Sequence, residues 1–189
     1  MPNWCTTDIT INCNSKKQAE GLYNLLDEWI ETPCIENGFG TTWLGNIIER
    51  SGLDHYDLAN HKFPKGYFPR GSVAWLDWQD EQVLLTTETA WTPKLRLFAD
   101  LIDKYASDAE LIYTATECGC ELYYTNDPYV EGNYFVDCYE PTEGFKEGTY
   151  DTFSEEQLRK MLNGRSIDDV SDGVSIHQYQ YAEVSEWWE

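Results

Sequence analysis

The sequence predicts an α+β protein in which an antiparallel sheet carries its helices on one face. Three observations lead to that class. Residues 8–13 (Asp-Ile-Thr-Ile-Asn-Cys) alternate polar and apolar at period two, the mark of a strand with one buried face. A capped amphipathic helix follows at once, and a second helix between two strands recurs after a β-hairpin farther along the chain. With 15% aromatic residues, including 8 Trp and 13 Tyr, the 189-residue chain has the apolar area to offset its conformational entropy.

Behind the first strand, Ser15 stands three residues before Gln18, a capping-box spacing, and Ala19, Leu22, Leu25, Leu26, Trp29 and Ile30 follow at helical intervals. The helix is expected from about Lys16 to Glu31, with Pro33 ending it because its ring cannot continue the hydrogen-bond ladder. Residues 32–71 have poor periodicity and many turn residues (Asn37-Gly38, Gly40, Gly45, Gly52, Pro64-Lys65-Gly66, Pro69-Arg70-Gly71), so they read as an insertion. Leu44, Ile47, Ile48 and Leu58 are the material for one or two short helices inside it, since a structureless loop of that length is uncommon.

Residues 72–78 and 82–89, separated by Gln79-Asp80-Glu81, read as an antiparallel hairpin. Thr92 as N-cap and Pro93 as first helical residue open the next helix, whose apolar face is Leu95, Phe98, Leu101, Ile102 and Tyr105. Strand patterns return at 110–115, 121–124 and 134–136, and a third helix is signalled by the Ser154/Gln157 box, Leu158, Met161, Leu162 and the closing Asn163-Gly164. Strand, helix, strand, strand, helix, strand is the split βαβ (βαββαβ) order of ferredoxin-like folds. The expectation is a single domain, 1–189, with its core at 1–31 and 72–140, the insertion at 32–71 and a C-terminal extension of extra strands and a helix at 141–189.

The opening Met1-Pro2-Asn3-Trp4-Cys5, the junction Glu88-Thr89-Ala90-Trp91-Thr92-Pro93 and the segment Glu117-Cys118-Gly119-Cys120 together resemble the YubB-type ferredoxin-like family of phage, plasmid and genomic-island proteins. The likeness covers roughly the first 140 residues apart from the insertion, and is most specific in the pentapeptide and the Trp-x-Pro junction. It implies a ferredoxin-like fold in a bacterial or phage setting. The word refers to shape and implies no iron–sulfur cluster, and the resemblance brings no catalytic residues to transfer.

The first residues lack a basic and apolar leader, and no stretch approaches the roughly 18 apolar residues of a membrane span, so a cytoplasmic protein without membrane contact is expected. In that compartment the six cysteines are expected as free thiols. Cys118, Cys120 and Cys138 offer three thiolates to zinc, but the single residue between the first two is the wrong spacing for a zinc knuckle. Buried thiols on one strand face are the plainer reading for Cys118 and Cys120, as for Cys5 and Cys13, and neither metal nor cofactor is expected.

The 34 acidic against 13 basic residues give a net charge of −21. Between Asp100 and Glu156 fifteen carboxylates face only Lys104 and Lys146, a surface that repels phosphate backbones and anionic lipid. Direct nucleic-acid binding is therefore not expected, and Glu117, Glu121, Asp127, Glu131, Asp137 and Glu140 are candidates for an acidic partner-binding face. Solubility alone explains the same charge equally well.

Catalytic signatures are sparse. The histidines are His55, His61 and His177, none in a recognisable motif, and no nucleotide-binding or zinc-protease signature is present. Asp54, His55, Asp57 and His61 stand as catalytic candidates only because long loops on rigid scaffolds carry sites. Residues 61–70 interleave Lys62, Lys65 and Arg70 with Phe63, Tyr67 and Phe68, a pattern that suits a protein-binding loop and, more weakly, single strands of nucleic acid. Trp187 and Trp188 near the end either close the core from a final strand or anchor a partner.

The functional expectation is a non-enzymatic acidic accessory protein of a mobile element or its bacterial host. It binds a host or phage protein, with mimicry of DNA toward a basic nucleic-acid-binding protein as one form of this. The alternatives are an enzyme of undetected type with its site near the insertion, or a structural homo-oligomer; the sequence leaves the oligomeric state unknown.

Overall fold

The computed structural model describes residues 3–32, 35, 39–141, 144–170 and 173–187. Its elements run β1 (Trp4–Asn12), α1 (Lys16–Glu31), α2 (Leu44–Ser51), β2 (Gly71–Gln79), β3 (Gln82–Ala90), α3 (Leu95–Tyr105), β4 (Glu110–Glu117), β5 (Leu122–Thr125), β6 (Tyr134–Cys138), β7 (Thr149–Phe153), α4 (Glu155–Leu162), β8 (Val174–Gln178) and β9 (Gln180–Tyr181). Short 3-10 turns lie at Ile167–Asp169 and Val184–Trp187. The protein is of the α+β class. It divides into two compact units, Met1–Leu122 with Glu183–Glu189, and Tyr123–Ala182; the expected end of the core near residue 140 thus falls inside the second.

In the first unit, β1 pairs antiparallel with β3 and β4, and β3 pairs antiparallel with β2, giving the order β2-β3-β1-β4. The alternation foreseen in the sequence sets the two faces. Cys5, Thr7, Ile9 and Ile11 of β1, with Val83 and Leu85 of β3 and Tyr113 and Ala115 of β4, are buried. The opposite face is polar, with Thr86 donating to Asp8 (2.7 Å) and Gln82 donating to Asn12 (2.8 Å). Helix α1 lies against β2 and β3, and α3 against β4. Their buried faces, Ala19, Leu22, Leu26 and Trp29 in one and Leu95, Leu97, Phe98, Leu101 and Ile102 in the other, fill the core.

The cap of α1 follows the sequence: Ser15 Oγ accepts the Gln18 N–H (3.3 Å), while the Gln18 side chain reaches one residue further back to the Asn14 N–H (2.9 Å). Helix α3 starts two residues later than expected. The Thr92 hydroxyl does not cap it but accepts from Lys94 Nζ (3.0 Å), and the Thr92 carbonyl takes the Thr89 hydroxyl (2.8 Å). Of the apolar residues in the insertion, Leu44, Ile47 and Ile48 form the buried side of α2, whereas Leu58 is an exposed turn residue.

In the second unit β6 is the centre of an antiparallel trio, β7-β6-β8, and β5 pairs parallel with β9. Val136, Cys138, Phe145, Leu158 and Leu162 form its core cluster, which places the apolar stripe of α4 against the β6 strand residues. The full capping box is present there, with Ser154 Oγ accepting from Gln157 N (3.3 Å) and Gln157 Oε1 accepting from Ser154 N (2.8 Å). Trp187 sits on a 3-10 turn of the first unit rather than on a final strand; it is half-buried and its indole N–H donates to the Tyr113 hydroxyl (2.6 Å). Trp188, Pro33, Cys34, Asn37, Gly38 and Glu143 lie outside the described residues, as do Met1 and Pro2 of the opening motif.

Candidate functional site

The insertion is organised around Trp43. Its indole lies over Gly45, where a Cβ would come within 2.3 Å of the ring, and its N–H donates to the Pro69 carbonyl (2.5 Å). One side chain thereby ties the start of the insertion to its end. Phe39, Tyr56 and Phe63 pack round the indole at centroid distances of 5.1, 5.8 and 6.2 Å. Trp4 joins them from β1: it pairs with Ala90, whose N–H donates to the Arg70 carbonyl (2.8 Å).

These residues, with Tyr67 and Phe68, line a groove of about 570 Å³, within the range of roughly 300–1,000 Å³ usual for ligand clefts. Trp43 and Phe63 are its buried floor, at 7% and 3% exposure, while Phe39, Phe68 and Trp4 stand open at 65%, 64% and 54%. Rings held with that much face in solvent are costly unless something covers them. Three cationic or titratable side chains, His61, Lys62 and Arg70, also line the groove. The Arg70 guanidinium is stacked over the Trp91 ring at 4.7 Å. Trp91 itself has a positive φ of 65°, rare for a bulky residue, and its N–H donates to the Asn3 carbonyl (2.9 Å).

The four catalytic candidates do not converge. Asp54 is buried and organises the loop, its two oxygens accepting the N–H groups of His55 (2.9 Å) and Lys65 (2.7 Å). His55 is exposed and pairs with Glu49 (3.0 Å). Asp57 folds its own turn, taking the N–H groups of Ala59 (3.0 Å) and Asn60 (3.1 Å) and the Asn60 side chain (2.7 Å), which hold its carboxyl below the usual range. His61 stands at the groove with φ 50°. Among the described residues, no hydrogen bond joins either imidazole ring to Asp54 or Asp57.

Among the partner-binding candidates, Lys62 and Arg70 reach the groove, whereas the Lys65 ammonium is turned back onto the Leu53 carbonyl. Glu117 requires correction as an element of an outer acidic face. It is 2% exposed, and its carboxylate accepts the N–H groups of Gly119 (2.8 Å) and Cys120 (2.5 Å). That carboxylate bends the chain out of β4, so Cys118 and Cys120 are exposed turn residues, not the buried strand thiols expected; Cys5, Cys13 and Cys138 are buried. At Gly119 the Asn3 amide lies close, 2.3 Å from where a Cβ would stand, so a larger residue there would displace that side chain. Glu121, Glu131 and Glu140 are exposed, and Asp127 and Asp137 half-buried.

Two groups near the groove have altered proton affinities. Burial lowers the Lys94 ammonium, helped by the charge of Arg70. Burial and the hydrogen bond it donates to Asp100 push the Tyr67 phenol up. Cys5, on the buried sheet face, is pushed up to about 11 by desolvation, so its thiol is a poor nucleophile at neutral pH. Among the described residues there is no cluster of three or more metal-ligating side chains, and no helix is long and apolar enough to cross a membrane.

The sequence pointed to residues 61–70 as a binding loop but missed Trp4, Phe39, Trp43 and Tyr56 as its companions. The density of rings in an otherwise irregular insertion was the available signal. Set beside known proteins, the chain matches no family model, no curated protein and no solved structure.

Proposed function

We propose that this is a non-enzymatic binding protein that captures a protein partner in the aromatic groove of its insertion. The observation that carries the reading is the set of open rings, Phe39, Phe68 and Trp4, above a fixed floor of Trp43 and Phe63. Magnitudes favour the groove over the carboxylates as the source of affinity. A buried aromatic or Arg anchor at an interface is worth about 2 kcal/mol or more, whereas an exposed charge pair contributes about 0–1 kcal/mol. The arrangement of Asp54, His55, Asp57 and His61 supports binding over catalysis: Asp54 and Asp57 are taken up by loop N–H groups, and the His55–Glu49 pair stands exposed with no hydrogen bond, among the described residues, from the ring to the other candidates.

The scaffold in this reading is a ferredoxin-like split βαβ core in the first unit, supported by the order β2-β3-β1-β4 with α1 following β1 and α3 following β3. The motif likeness to YubB-type proteins supports a cytoplasmic accessory role in a mobile element or its bacterial host. Selection of a random peptide library on the immobilised protein tests the function. Recovered peptides are expected to lose at least about tenfold in affinity for a Phe39→Ser/Phe68→Ser variant, about 1.4 kcal/mol or more. Recovery only of peptides indifferent to those rings would overturn the proposal.

A further inference from the structure

We infer that the groove takes a short acidic segment of a polypeptide, with its carboxylates on Lys62 and Arg70 and its apolar side chains against the rings. This rests on the groove being the binding surface and adds the chemistry of its occupant. The chain has 34 acidic residues against 13 basic, so most of its surface is rich in carboxylate. The groove departs from that rule. Among the described residues that line it none is Asp or Glu, while His61, Lys62 and Arg70 are all present.

Arg96, Arg159 and Lys160 each hold a carboxylate at 3.5, 2.5 and 2.7 Å. Among the described residues Lys62 and Arg70 have no such ion pair, although acidic side chains outnumber basic ones almost three to one. The charge of Lys62 acts on Asp57, but the Asp57 oxygens accept hydrogen bonds from Asn60 and Ala59 and form no ion pair with it. The Arg70 guanidinium lies over the Trp91 ring at 4.7 Å, a cation–π contact that uses the ring face and leaves the donor fork without a carboxylate among the described residues. A planar fork of that kind suits a carboxylate, which it can meet with two parallel hydrogen bonds.

The same net charge of −21 selects a short segment over a long polyanion. Nucleic acid carries a charge about every 1.7 Å along a duplex and would run beyond the groove over carboxylates. With a Debye length of about 8 Å at physiological salt, a few residues confined to the groove feel its cations more than the remote acidic surface.

Calorimetry with defined probes tests this. The probes are an N-acetylated, C-amidated hexapeptide alternating Phe and Glu, its Phe/Gln counterpart, adenosine monophosphate and a short oligothymidylate. The Phe/Glu peptide is expected to bind about tenfold tighter than Phe/Gln, and to lose that advantage in Lys62→Gln/Arg70→Gln and at high salt. Lys62→Gln alone, at an exposed position, is expected to remove part of it and guards against misfolding of the double variant. Equal affinity for both peptides, each still dependent on Phe39 and Phe68, would overturn the acidic occupant and leave the binding groove standing. Tighter binding of the nucleotide or the oligonucleotide than of the Phe/Glu peptide would overturn it in favour of a nucleic-acid ligand. Loss of both peptides' dependence on the rings would remove the groove itself.

Discussion

The insertion of the first unit and the core of the second are both built from aromatic side chains, and they use them in opposite ways. In the second unit Tyr123, Phe135 and Tyr179 are each 4% exposed and close upon one another, with His177 stacked on Tyr123 at 4.3 Å. In the insertion the packing stops halfway: Trp43 and Phe63 are buried, but Phe39 and Phe68 face water. Charge divides the same way. The second unit neutralises its helix cations locally, through Glu155–Arg159 and Glu156–Lys160, whereas the cations at the groove are left without a carboxylate among the described residues. Among the described residues the groove thus brings exposed rings together with cations that hold no ion pair, which net charge alone does not reveal.

The sharpest break of that contrast is Trp43→Ala. Removing a buried indole that links Pro69, Phe39, Tyr56 and Phe63 should cost about 3–5 kcal/mol, read as a lower denaturant midpoint. Gly45→Ala drives a methyl into the same indole and is expected to cost about 1–3 kcal/mol, with the groove's floor displaced. On the other side of the comparison, Ser154→Ala removes the cap of α4 for about 1 kcal/mol and should leave peptide binding at the groove unchanged.

Proton linkage supplies a further test in the first unit. Cys5 titrates at about 11 in the folded protein against an ordinary 9.0, so the native state keeps a proton that the unfolded chain loses between those values. Its contribution is full below pH 9 and lost as pH rises through 11, roughly 3 kcal/mol in all. The Cys5→Ala variant is expected to lack that alkaline slope. The smallest effect is chemical: Cys118 and Cys120 should alkylate before Cys5, Cys13 and Cys138, as followed by peptide mass spectrometry.

Much of the architecture was legible because it rests on local rules. Period-two alternation gave β1, the Ser15 and Ser154 caps gave α1 and α4, and the 79–81 break gave the β2–β3 hairpin. What escaped depends on side-chain contacts that the local patterns do not announce, some within three residues and some far along the chain. Glu117 reads as one more surface acid until its buried oxygens are seen taking the next turn's N–H groups. Thr92 reads as a cap until Lys94 and Thr89 claim it. Half of the groove was visible in residues 61–70, but Trp4 enters it only through strand pairing and Trp43 only through its reach to Pro69.

The most direct test compares two variants against one groove-selected peptide by calorimetry. Phe39→Ser/Phe68→Ser alters exposed rings and, through loss of the Phe39 contact with Trp43, should cost about 1 kcal/mol of stability, well short of Trp43→Ala. It is expected to weaken the peptide at least about tenfold, while Glu131→Gln/Glu140→Gln leaves its affinity unchanged. Full affinity in the ring variant together with loss in the carboxylate variant would contradict the groove as the binding surface.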